Sequence, residues 1–208
     1  MSRKSTNTDK KLLVEGRKLL IKKGASNLSI REVSTAAKVN LGMFSYHFGN
    51  KDKFIKLILS EVYEDFFVDF ELIEKEDNLA TLESQLLSMA KFARDNRHLI
   101  LVLLNDILNG EEAVRKFARL KMRKHFMILA KTIKDCQKNK ILIEAPLPLI
   151  LTQIAGSIGL SNLIPGLLKN LGVNKVFDLG VSAVSKKLMT DEAIKMRVDI
   201  VIKGLRRE

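Results

Sequence analysis

The sequence predicts an all-α protein: a three-helix N-terminal head followed by a larger helical body, about nine helices in all. Three observations predict it. Apolar residues recur at i, i+3 and i+4 spacing almost throughout, and no alternating strand pattern of useful length appears. Proline occurs three times in 208 residues, always between positions 146 and 165, so little else interrupts a helix. Charge is segregated: residues 1–60 hold 13 Lys+Arg against 4 Asp+Glu, whereas residues 61–208 hold 23 against 20. Most of the +12 net charge is therefore concentrated in the head, where it is expected to meet an anionic partner.

The composition, 46% hydrophobic and 29% charged, is that of a soluble globular chain, long enough for one large domain or two smaller ones. Cys136 stands alone, which excludes a disulfide framework within the chain and suits a reducing cytoplasm. The polar, basic start MSRKSTNTDKK has no apolar stretch behind it and is not a secretory signal, so a cytoplasmic location is expected.

The first helix carries Leu12, Gly16, Leu19 and Leu20 on one face, with Leu13 beside them; Thr8 is its expected N-cap and Gly24 its stop. Ser29 to Glu32 reads S-x-x-E, a capping box that opens a second helix running to about Lys38. Asn40 caps a short third helix, and the turn Gly49-Asn50 leads into a long fourth, from Lys51 to about Lys75. That helix has two apolar rows, Phe54, Ile58, Val62, Phe66, Phe70 and Ile55, Leu59, Tyr63, Phe67, so it must be covered on more than one side. Its second half turns acidic, which separates the basic head (1–50) from the body (51–208).

Body helices are expected at 78–95, 97–108, 111–138, 146–169 and 190–206. Residues 171–189 are ambiguous; Phe177, Val181 and Val184 suit a short helix capped by Asn174. Residues 145–168 carry no charge at all. About 20 apolar residues suffice to span a bilayer. Here, however, three prolines and Thr152, Gln153, Ser157, Ser161 and Asn162 dilute the stretch, so a membrane span is not expected. Ala155, Gly156 and Gly159 permit close helix approach instead. The stretch is expected to be a core helix that also forms a subunit interface.

Ser29 to Phe48 has the anatomy of a helix-turn-helix. Ser34 and Ala37 are small enough for two helices to cross closely, while Val33, Val39, Phe44 and Phe48 point to the core beneath. The second helix of such a pair enters the major groove of DNA. The pattern Ser29, Val33, Ser34, Ala37, Val39, Asn40, Gly42, Phe44, His47, Phe48, Asn50, Lys51, Phe54 resembles the TetR (tetracycline-repressor-like) family of transcriptional regulators. Two departures stand out: Lys38 replaces the usual turn glycine, and Ser45 the usual tyrosine, with Tyr46 next to it.

The resemblance implies a homodimer on a palindromic double-stranded DNA operator, dimerised through the helices near 146–169 and 190–206. It implies a regulatory body that binds a small apolar effector, and no cofactor, metal or membrane. By matching position, Leu41, Gly42, Met43, Ser45 and Tyr46 form the DNA-facing surface of the second helix. Arg31 reaches bases or backbone, and Ser29, His47 and Lys51 reach phosphates. Packing is the competing role for His47 and Met43, and an ordinary first-turn position for Lys51. In the family, soft residues of the body line a ligand cavity. Here these are Phe66, Phe67, Phe70, Met89, Phe92, Phe117, Met122, Phe126 and Met127, which in any helical protein also suit a core.

The residues argue against an enzyme. His47, His98 and His125 are scattered, Cys136 lacks a spaced partner, and neither a glycine-rich phosphate loop nor a G-x-S-x-G turn is present. The expected function is a sequence-specific regulator, most simply a repressor released by a lipophilic ligand. Two alternatives stay open: a ligand-independent DNA-binding factor of nucleoid or division type, and a helical scaffold whose basic head binds an acidic protein.

Overall fold

The computed structural model of the chain describes residues 7–176 and 178–207. Among these, eleven α-helices and one two-stranded hairpin are present. The chain divides into two compact units: residues up to Asp65 with Leu99–Lys121, and Phe66–His98 with the residues from Met122 onward.

In the first unit, α1 (Thr8–Lys23) buries Leu12, Gly16 and Leu20 at four-residue intervals. Asn7 occupies the cap position and Thr8 begins the helix, so the cap falls one residue earlier than expected. Gly24, at φ 82°, ends it. The Ser29 hydroxyl accepts from the Glu32 amide at 3.5 Å and opens α2 (Ile30–Ala36). Asn40 Oδ1 accepts from the Gly42 amide at 2.8 Å and opens α3 (Leu41–Phe48). Asn50 Oδ1 accepts from the Lys53 amide at 2.9 Å at the start of α4 (Lys51–Glu71). Phe54, Ile55, Ile58 and Leu59 of α4 are fully buried, which accounts for its two apolar rows. The helix stops four residues short of Lys75, ahead of the acidic run Glu74, Glu76, Asp77. The unit also contains α6 (Arg97–Leu108) from Leu99 and the first part of α7 (Glu112–Lys138), where Phe117 meets Tyr63 edge-on at 5.6 Å.

The second unit is built around α5 (Asn78–Asp95), the remainder of α7, α8 (Leu147–Ile154), α9 (Ser161–Asn170) and α11 (Asp191–Leu205). Its core joins Leu82, Leu86, Leu129, Ile133, Ile150, Ile154, Ile194 and Val198 among others. The helix expected at 146–169 is broken by a π-helical turn, Ala155–Leu160, between α8 and α9, and Pro165 lies inside α9. A π turn places one extra residue in the helical ladder. By length and composition Leu147–Asn170 passes as a candidate span, with 28% of the window buried. Two of its polar residues are bound by α11: Arg197 donates to Ser161 Oγ and, at 3.2 Å, to Asn162 Oδ1. Residues 171–189 hold a hairpin (β1 Lys175–Val176, β2 Leu179–Gly180) and α10 (Val181–Leu188). Gly180, and not Asn174, is the cap of α10; Phe177 lies outside the described residues. Hairpin strands of two residues are too short to show an alternating pattern.

Candidate nucleic-acid interface

The helix-turn-helix is held from beneath by aromatic packing. The Phe44 ring is fully buried, 5.3 Å from Phe48 and 4.8 Å from Phe54, and Phe48 lies 4.7 Å from Phe54. These contacts pin one side of α3 to α4. Ser34 on α2 and Ala37 at its C-terminal cap are buried, as the close crossing requires. The turn contains Lys38 at φ 55°, so a side chain with a Cβ occupies the left-handed conformation there.

With its aromatic side anchored, α3 turns Leu41, Gly42, Ser45 and Tyr46 outward; Tyr46 is 81% exposed. Met43 is half-buried, between the surface and core roles. His47 is exposed and meets Tyr46 edge-on at 5.2 Å, so it is not a packed core aromatic. Ser29 and Arg31 are exposed on the neighbouring helix, and the Ser29 hydroxyl is already engaged as a cap. Lys51 is half-buried, and its Nζ donates to the Ser26 carbonyl at 3.3 Å. Its side chain thus braces the loop before α2. Eight of the nine predicted interface residues are solvent-facing to some degree with no such tie to a neighbouring loop; Lys51 alone has one.

Sequence reasoning missed Asp106. This residue of α6 is 1% exposed, and its carboxylate accepts from the amides of Ala25 (2.7 Å) and Ser26 (3.2 Å) and from the Ser26 hydroxyl (2.9 Å). The available clue was an aspartate in the largely apolar run HLILVLLNDIL.

The predicted ligand-pocket residues separate into groups. Phe66 stacks on Phe92 at 4.2 Å, and Phe66, Phe67 and Phe70 surround the His125 ring at 4.7–4.8 Å. Burial in this aromatic setting pushes the His125 imidazole down to about 4; Lys124 acts in the same direction and Glu71 against it. Met89 packs partly buried against the second unit's core. Phe117 belongs to the first unit, beside Tyr63. Met122, Phe126 and Met127 are exposed on α7, although Met122 and Phe126 share a helix face with the buried Leu129 and Ile133. An open surface hollow of about 500 Å³ is lined by Gln137, Lys138, Glu144, Ala145 and Pro146, and none of the nine borders it.

Residues 12–58, which span this helix-turn-helix, match the family described as bacterial regulatory proteins, tetR family. The match makes this segment similar to the DNA-binding part of that family. The chain is similar to the "Probable HTH-type transcriptional regulator YttP" of Bacillus subtilis (strain 168), 23% identical over 163 residues, covering 76% of this chain and 79% of that one. The same fold occurs in the ketosteroid transcriptional regulator KstR2 of Mycobacterium tuberculosis, with a TM-score of 0.67, 12% identity, and 99% and 98% of the two chains covered. A TetR transcription regulator from Haloarcula marismortui matches with a TM-score of 0.68, 13% identity, and 97% and 99% covered. The likeness is thus to transcriptional regulators, at the helix-turn-helix by sequence and over the whole chain by fold.

Proposed function

We propose that the chain is a homodimeric repressor that grips a palindromic operator with α3 and is released by a small apolar effector. Residues 1–50 act as the reading head and 51–208 as the regulatory and dimerising part, working in the cytoplasm. The observation that carries the reading is the outward face of α3, where Leu41, Ser45 and Tyr46 are exposed while Phe44 anchors the helix. Leu41 and Met43 suit thymine methyl groups, and the Tyr46 hydroxyl a base or phosphate. Arg31, Ser29 and His47 are exposed at the flanks, where phosphates would run.

Dimerisation is supported by a stripe along α8–α9. Leu149, Leu160, Ile164, Leu167 and Leu171 are exposed at helical spacing, with Met196 and Ile200 exposed on α11. A Cβ added at Gly156 or Gly159 meets nothing within 4 Å, so a second backbone has room to approach. A continuous apolar surface of this kind needs a cover in water. An apolar effector is supported by the aromatic cluster Phe66, Phe67, Phe70 and Phe92; KstR2, which shares the fold, is by name a ketosteroid regulator.

The test is selection of bound fragments from genomic DNA, followed by release from the selected site with a panel of lipophilic compounds. A two-fold symmetric site with half-sites about 34–36 Å apart or a multiple of that is expected, together with at least one releasing compound. A recovered site that no compound releases would favour the ligand-independent DNA-binding factor.

A further inference from the structure

The carboxylate of Asp106 has no part in the DNA-facing surface, yet every bond it makes is to the loop that leads into that surface. It is 1% exposed, and among the described residues it forms no ion pair. A buried carboxylate without a cation needs several hydrogen-bond donors. Asp106 finds three: the amides of Ala25 and Ser26 and the Ser26 hydroxyl.

The loop is shaped for it. Gly24 holds φ 82°, a conformation that favours glycine, and a Cβ there would lie 2.9 Å from Asp106 Oδ1. Ala25 and Leu28 are buried, and the Leu28 amide donates back to the Ala25 carbonyl at 3.2 Å. One residue later Ser29 caps α2. On its other side the loop offers the Ser26 carbonyl to Lys51 Nζ, at the start of α4. The segment that sets the entry of α2, and through it the seat of α3, is therefore tied at one point to α6 and at another to α4.

We infer that Asp106 is a positioning residue for operator recognition: it makes the seat of the helix-turn-helix conditional on α6. A cap supplied from within the three-helix head would leave the loop indifferent to the rest of the chain. This cap arrives from a helix outside the head. Hydrogen bonds at 2.7–3.2 Å are lost with a displacement of about 1 Å. Anything that shifts α6 by that much frees the loop and loosens α2. The inference rests on the reading that α3 faces DNA.

The test uses the full chain. Asp106→Asn keeps the side chain's shape but puts an amide NH₂ in place of one of the two accepting oxygens. Hydrogen exchange reports the Ala25 and Ser26 amides, and binding is measured to the selected operator fragment and to an unrelated duplex. At least one of the two amides should lose protection. Operator affinity should fall about tenfold, within the range of couplings between sites, while affinity for the unrelated duplex stays unchanged. Amides that lose protection without a fall in operator affinity overturn the inference, and so does an equal loss on both DNAs. Should Asp106→Asn fail to fold, Ser26→Ala removes only the hydroxyl contact and should lower the ratio of the two affinities; an unchanged ratio refutes the role. Wild-type chain that prefers no sequence refutes the DNA-facing reading itself, and that is seen before any variant is made.

Discussion

Phe54 of α4 lies against the bare backbone of Gly16 in α1: a methyl group on Gly16 would sit 2.3 Å from Phe54 Cζ and 2.5 Å from Cε1. The ring cannot swing away freely, because Phe44 and Phe48 pack on it at 4.8 and 4.7 Å. Gly16→Ala should therefore destabilise the first unit by about 1–3 kcal/mol, as overpacking does, despite alanine's better helix propensity. Urea unfolding checks this, and Phe54→Leu in the same chain should recover part of the loss. A more stable single variant would refute the packing argument.

Lys38 occupies a left-handed turn without being glycine. Relief of that conformation favours Lys38→Gly, and the freer unfolded chain opposes it, leaving a net gain of about 0.5–1 kcal/mol. The urea midpoint should rise with its slope unchanged. If the exposed Lys38 ammonium also faces phosphate, the same variant should bind every duplex more weakly, with a salt slope reduced by about one phosphate's worth. An unaltered slope would place that charge away from the duplex.

Tyr46 and Lys51 should fail differently. Tyr46→Ala removes an exposed side chain from the α3 face, and discrimination at one base pair should relax by about 1–3 kcal/mol. Lys51→Ala should weaken binding to all sequences. Because Lys51 Nζ also holds the Ser26 carbonyl, the amides around Ser26 should exchange faster in that variant alone. Equal, sequence-independent losses in both variants would contradict the division of roles.

The buried His125 ring predicts a pH dependence. Its folded value of about 4 lies below the ordinary 6.5. Between those values the unfolded chain binds more protons, so the stability of the second unit is full above pH 6.5 and declines as pH falls toward 4. The loss is on the order of 2–3 kcal/mol at the low end. His125→Phe should flatten the difference in denaturant midpoint across this window. Equal slopes for the two proteins would show that other groups carry the acid sensitivity.

The head was legible almost residue by residue because its instructions are local. Ser29, Asn40 and Asn50 cap the helices they precede, and Gly24, Lys38 and Gly49 mark the three left-handed backbone positions of the head. Body helices were legible from periodicity alone: Asn78–Asp95 and Arg97–Leu108 match the expected limits. The π turn at Ala155–Leu160 was not, since one extra residue in a ladder has no distinctive composition. Nor did the soft residues of the body reveal their neighbours. Phe66 and Phe126 look alike in the sequence, yet one is stacked on Phe92 and the other is exposed. Asp106 was hidden for the same reason, because its partners are set by tertiary structure.

The bond between Asp106 and Ala25 bridges 81 positions of the chain. During synthesis at about 5–20 residues per second, the loop after α1 emerges roughly 4–16 s before the carboxylate that fastens it. Over that interval the Ala25 and Ser26 amides have only water to bond. The first unit thus matures in two instalments, its three small helices early and its fastening late. A ribosome paused between the two carries the helix-turn-helix in an unfastened form, open to proteases and chaperones at the α1–α2 loop.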